Sequence, residues 1–228
     1  MGDSPPDHSG HRARLRKRLA EGGPDALLDH ELVEYLLALA TPRRDTKPLA
    51  KKLLKQFGDS FGHLLAADSE ALARIGGLTE GQVAALKIPQ AAALRLLQSK
   101  VKEKPVLSSW QALLDYLNAD MAHHPIERVR VLFLDSKNRL IDDEPMWEGS
   151  VDESAVHVRE IVRRALDLQA TGLIVVHNHP SGDPRPSPQD IAITKEIAEA
   201  ARHLRITLHD HVIIGRSGHS SLRAMGLI

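Results

Sequence analysis

The sequence predicts an α/β protein in two parts, a helical N-terminal domain followed by an α/β domain with a mixed central sheet. Three observations predict it. From His11 to about Ser99 apolar residues recur at helical spacing. A charged segment ending in proline, Ser99-Lys-Val-Lys-Glu-Lys-Pro105, then interrupts the chain. Beyond it, β-branched alternating runs interleave with amphipathic ones, the order expected of helices packed on a sheet.

Residues 1–10 are polar and rich in Pro and Gly, and are expected to be flexible. The helical domain is assigned to residues 11–99. Arg12–Ala20 reads as a short basic helix. Asp29 reads as the N-cap of a helix through Ala40, with Leu32, Leu36 and Leu39 on one face. Pro48–Phe57 and Ser69–Ile75 follow, the second capped by Asp68 or Ser69. Gly76-Gly77 breaks the chain, and Glu80–Leu97 resumes helix, with Pro89 as a kink or boundary. Residues 100–106 are read as a linker and 107–228 as the α/β domain. There, Ser108 or Ser109 opens a helix through about Leu117, and Arg128–Asp135 and Arg139–Trp147 are strands joined by a turn at Lys137-Asn138. Val156–Gln169 is helix, Gly172–His179 strand, Ser187–Leu204 helix and Ile206–Ile214 strand.

Composition narrows the chemistry. Hydrophobic residues make up 42% of the 228 residues and aromatics only 3%, so the cores must be aliphatic. There is no cysteine, which excludes disulfides, thiolate metal sites and a Cys nucleophile. A metal would need His and carboxylate ligands. No run approaches the ~20 apolar residues of a membrane span, and the first residues lack an apolar signal segment, so a cytoplasmic protein with no membrane partner is expected. Formal net charge is +0, but residues 1–104 hold 17 Lys+Arg against 13 Asp+Glu, and residues 105–228 hold the reverse. A first half that touches nucleic acid is compatible with that asymmetry.

The densest chemistry lies in HNHPSGDPRPSPQD. His177 and His179 are two apart at the end of a strand, so both face one side and Asn178 the other. Pro180 and Ser181-Gly182-Asp183-Pro184 turn the chain, and a helix starting near Ser187 brings Asp190 back in its first turn. Two imidazoles and one carboxylate are three protein ligands, the count of a catalytic zinc that keeps its fourth position for water. Each residue also has a purely structural use. Ser187-Pro188-Gln189-Asp190 is a good helix start, with Ser at the N-cap, Pro at the first helical position and an acidic third residue.

Taken together these residues resemble the JAB/JAMM (MPN-plus) metalloprotease family, whose pattern is His-x-His-Pro, then Ser-x-x-Asp, with ten residues between the second His and the Asp. Pro180 to Gln189 fill that interval, with Ser187 three before the Asp. The longer run HNHPSGDPRPSPQDIAIT, followed by LHDHVIIG and preceded by HVREIVRRAL, resembles the RadC-like branch. The resemblance implies an α/β JAB/MPN fold and a zinc hydrolase acting on amide bonds of a peptide or protein substrate, with Zn2+ held by His177, His179 and Asp190. It also implies a glutamate general acid/base at the start of an earlier strand. Glu127, just before RVRVLFLD, matches that placement, and Glu153 and Glu160 are its rivals. The family's motif serine, here Ser187, would help bind the water or the developing oxyanion. Asp210-His211 also matches the RadC-like pattern, and packing on a strand face is the reading preferred for it over contact with a zinc histidine.

In the first half, LARIGGLTEGQVAALK resembles a helix-hairpin-helix, whose Gly-containing turn offers backbone N–H groups to a DNA phosphate. Ile75, Gly77, Leu78 and Val83-Ala84 fit, and Thr79 stands where a second glycine is usual. Arg74, Lys87 and the HRARLRKRL helix are the nearby cations. A helical interaction module with a solvated basic face is the competing reading. Two functions therefore stand: a zinc hydrolase, or a DNA-associated protein of RadC type whose metal site is structural or regulatory. Three ligands rather than four favour catalysis. A two-His-one-carboxylate iron site shares the ligand set.

Overall fold

The computed structural model describes residues 8–75, 77–149 and 154–228. The chain divides into two compact units between Ala92 and Ala93. Among the described residues no helix is long and apolar enough to cross a membrane.

The first unit is helical: α1 (His8–Gly22), α2 (Asp29–Ala40), α3 (Lys47–Gln56), α4 (Phe61–Ala66), α5 (Ser69–Arg74) and the start of α6 (Glu80–Glu103). Its core is aliphatic, built on Val33, Leu37, Leu53, Leu64, Leu72 and Leu86. Side chains close the helix starts. Ser60 Oγ accepts from His63 N–H at 3.2 Å and Asp68 Oδ1 from Ala71 N–H at 2.5 Å. Asp29 is the first residue of α2 rather than its N-cap; Leu28 holds that position, its N–H donating to Glu31 Oε2 at 2.9 Å. The six-residue α4 was not foreseen, since one and a half turns show no period.

At the hairpin, Thr79 N–H donates to Gln82 Oε1 at 3.0 Å and Gln82 N–H to Thr79 Oγ1 at 3.3 Å, a reciprocal cap on α6. The threonine in the glycine position thus spends its N–H inside the protein. Lys87 Nζ donates to the carbonyls of Leu65 and Ala67 at 2.6 and 2.9 Å, closing the C-terminal end of α4. On α1, Arg12 bonds the carbonyls of Pro42 and Arg44, and Arg18 pairs with Glu31.

Of the stretch read as a linker, residues 100–103 form the last turn of α6. Its lysines and glutamate are good helix formers, and Leu94, Leu97 and Val101 make an apolar stripe; Val101 is fully buried in the second unit's core. Pro89 lies inside the helix rather than ending it. Pro105, which follows α6, cannot continue a helix.

The second unit is a five-stranded mixed sheet with helices on both faces. Its elements are α7 (Trp110–Met121), β1 (Arg128–Leu134), β2 (Leu140–Glu148), α8 (Ser154–Asp167), β3 (Gly172–Asn178), α9 (Pro188–His203), β4 (Thr207–Gly215) and β5 (Gly218–Ser221). The strand order is β2-β1-β3-β4-β5, and only β3 and β4 run parallel. β3 is buried along its whole length, which explains its unbroken apolar run. Strand parity separates two cores. Leu132, Leu134, Ile174, Val176, Val212 and Ile214 meet α7, while Val129, Val131, Phe133, Leu173, Val175 and Leu208 meet α8 and α9. The short β5 was not anticipated. It follows a two-residue turn and carries little apolar signal.

Candidate metal centre

Parity along β1 and β3 decides which side chains meet. Val129, Val131 and Phe133 face α9, so Glu127, two residues before Val129, belongs to that face; His177, two after Val175, does too. Val129 pairs with His177 in register, which sets Glu127 beside the end of β3. Asn178 points to the other side and binds the chain that carries Glu127. Its Oδ1 accepts from Arg128 N–H at 2.9 Å, and its Nδ2 donates to the carbonyls of His124 and Ile126 at 3.3 and 3.2 Å. The Glu127 carbonyl accepts from Gly149 N–H at 2.9 Å.

After β3 the chain turns through 179–187, and the turn following β4 grips this loop. Arg216 donates to the carbonyls of Pro180 and Ser181, and Ser217 donates through both N–H and Oγ to Gly182 O. A Cβ at Gly215 would lie 2.4 Å from Gly182 O, so only glycine permits that approach. So held, the loop presents Asp183 O to His179 Nδ1 at 2.8 Å. α9 then starts at the expected cap. Asp190 N–H donates to Ser187 Oγ at 3.1 Å and Ser187 N–H to Asp190 Oδ2 at 2.7 Å. The capping and ligand readings of Asp190 coexist, because Asp190 Oδ1 is left to face His177.

His177, His179 and Asp190 come together as a group able to hold a metal ion. Asp190 Oδ1 lies 3.3 Å from His177 Nε2, Asp190 Oδ2 lies 3.5 Å from His179 Nε2, and the two Nε2 atoms are 2.9 Å apart. Ligands ~2.0–2.1 Å from a tetrahedral ion stand ~3.3–3.4 Å from one another; each imidazole has a carboxylate oxygen near that distance, a different oxygen for each, and the imidazoles need to part by about half an ångström. Because a backbone carbonyl only accepts, His179 Nδ1 must carry the proton bonded to Asp183 O, which leaves Nε2 bare. In a neutral ring that Nε2 turns a lone pair towards the Asp190 carboxylate and His177, an arrangement that could hold a cation.

The electrostatics agree. Burial alone would raise the pKa of Asp190. With no ion present, protons on the rings of His177 and His179 stand in for a cation beside it and, with the Ser187 N–H, outweigh burial and hold the carboxyl far below its usual range. In return Asp190 raises the pKa of His179, the same field that favours a metal ion there.

Glu127 lines a narrow cavity with His177, Asp190, Val129 and Trp147. Of the rival glutamates, Glu160 pairs with Arg163 on the exposed side of α8, and Glu153 lies outside the described residues. His211, read as strand-face packing, proves to be 2% exposed with its Nε2 2.8 Å from His177 Nδ1. That expectation is corrected. Asp210 beside it holds the β5 turn instead, accepting from Ser221 Oγ and Arg223 N–H. Asn178 and Thr194 also serve the site without having been singled out in the sequence, where nothing local marks them.

Comparison with known proteins accounts for both units. Residues 107–227 match the RadC-like JAB domain family, and residues 8–84 match the UPF0758 N-terminal family. The chain belongs to the RadC-like JAB family. It is 55% identical to a UPF0758 protein of Rhodobacter capsulatus over 214 residues, covering 94% of this chain and all of that one. Glu127, His177, His179, Ser187 and Asp190 all lie within the RadC-like JAB match, and the helical hairpin lies within the UPF0758 N-terminal match. The α/β assignment with a helical first part stands on these matches and on the mixed sheet.

Proposed function

We propose that this protein is a zinc-dependent hydrolase that cleaves amide bonds of a peptide or protein substrate. One observation carries the reading: three ligand atoms converge beside Glu127, and no fourth His or carboxylate joins the group among the described residues. A purely structural zinc site is normally closed by four protein ligands.

His177, His179 and Asp190 would hold the ion. When bound, zinc supplies Lewis acidity, lowering the pKa of a water towards ~7 and polarising a carbonyl. Glu127, held in place by the Asn178 amide, accepts the proton of the attacking water and passes it to the leaving amine nitrogen. Ser187 uses a lone pair to receive Asp190 N–H, so its own hydroxyl hydrogen is available for the carbonyl oxygen as negative charge develops. Val129 and Trp147 line an apolar wall beside the carboxylate.

The test combines metal analysis of protein purified without added metal with a peptide-cleavage assay. Zinc rather than iron is expected in wild type and neither in His179→Ala. Glu127→Gln should keep its zinc and lose activity by ~10²-fold or more. Full activity in Glu127→Gln would overturn the role given to that carboxylate.

A further inference from the structure

His211 is buried, touches His177, and takes no part in the chemistry just described. Its hydrogen bonds form a chain whose direction can be worked out from one end. Thr194 lies one turn into α9, and its hydroxyl contacts the Asp190 backbone carbonyl. A carbonyl can only accept, so Thr194 donates its single hydroxyl proton there. The Thr194 oxygen must then accept from His211 Nδ1, 2.5 Å away, so Nδ1 carries the proton of that ring. At 2% exposure a charged ring is disfavoured, so the single proton of the imidazole, at Nδ1, leaves Nε2 without one. His211 Nε2 therefore accepts from His177 Nδ1 at 2.8 Å. With its proton at Nδ1, His177 presents a bare Nε2 to Asp190 and His179. The ring of contacts begins at the backbone of Asp190 and ends at its carboxylate.

We propose that His211 and Thr194 are positioning residues that fix the His177 tautomer and so keep its Nε2 free to bind the metal ion. Reversing the chain shows what is at stake. A proton on His211 Nε2 would oblige His177 to accept at Nδ1 and carry its proton at Nε2, where the ion belongs. Ring partners of this kind commonly set metal affinity by 10–100-fold.

A bulge in β4 makes the contact. Leu173 pairs with Leu208 but Ile174 pairs with Asp210, so His209 is an extra residue. Without it His211 would share the α7 face with Val212's neighbours across the strand; with it His211 pairs beside Val175, on the face of His177. At Gly172 a Cβ would lie 2.6 Å from His209 Nε2, so the glycine leaves room for the bulged imidazole.

The proposal rests on the metal reading of the site, and its test separates the two. Long-range ¹H–¹⁵N spectra of metal-free wild type should show both His177 and His211 protonated at Nδ1. His177 protonated at Nε2 in a neutral ring overturns the proposal. Thr194→Val keeps shape and burial but removes the hydroxyl. Its zinc dissociation constant, measured against a competing chelator, should rise 10–100-fold, while Thr194→Ser stays near wild type. Unchanged affinity in Thr194→Val, or an equal loss in Thr194→Ser, also overturns it. Far-UV circular dichroism of the metal-free variants checks that the fold is kept. Wild type that takes up no zinc overturns the metal reading alone, because the spectra of the metal-free protein test the relay by themselves.

Discussion

Asn178 lies between His177 and His179 in the chain and bonds to neither side chain. It is 1% exposed and spends its whole amide on the segment before β1, so it sets the position of Glu127 from the opposite face of the sheet. Replacing it with alanine leaves the Arg128 N–H and the His124 carbonyl short of a partner, while the Ile126 carbonyl keeps His124 Nδ1, and a buried unsatisfied group costs about 1–3 kcal/mol. Asn178→Ala should therefore lower the unfolding free energy by about 2–4 kcal/mol in denaturant melts. Asn178→Asp should be at least as damaging at pH 7, because a carboxylate oxygen would then face two carbonyls that need a donor. The grouping of His177, His179 and Asp190 was legible in the sequence, since they sit in one short run whose turn and cap signals are local. The role of Asn178 was not, because its partners lie 50 or more residues away.

At the scale of elements, the start of α9 does two jobs with different atoms. The Ser187 hydroxyl caps the helix, while the backbone N–H at position 187 steadies the Asp190 carboxylate. Ser187→Ala should cost about 1 kcal/mol of stability and reduce hydrolysis, with zinc content unchanged, because the N–H that holds Asp190 remains. Thermal melts, peptide cleavage and metal analysis on the same preparation separate the three effects. Loss of zinc would show that the hydroxyl itself holds the ligand. The periods of α7, α9, β1 and β3 could be read directly from the sequence. The end of α6 could not: its lysines suggest a solvated linker, and only packing of the second unit's core against Val101 shows a helical turn with that one residue buried.

For the whole molecule, the metal reading has a thermodynamic consequence. A ligand that binds only the folded state at 100 times its dissociation constant stabilises by about 2.7 kcal/mol. Such zinc should raise the melting temperature of wild type by about 5–10 °C and leave His179→Ala unchanged. A wild-type midpoint that does not move with zinc would contradict binding to the folded protein. The division into a helical part and a sheet part and the grouping of His177, His179 and Asp190 were legible in the sequence alone, because each rests on a local period, a turn or a cap, whereas Glu127 came from the family resemblance. The tertiary structure decided which remote groups complete the site. His211 reaches His177 only because one extra residue in β4 reverses the parity of the strand. That bulge exists in the pairing with β3, so no property of the LHDHVIIG segment by itself could place the imidazole on the face of His177.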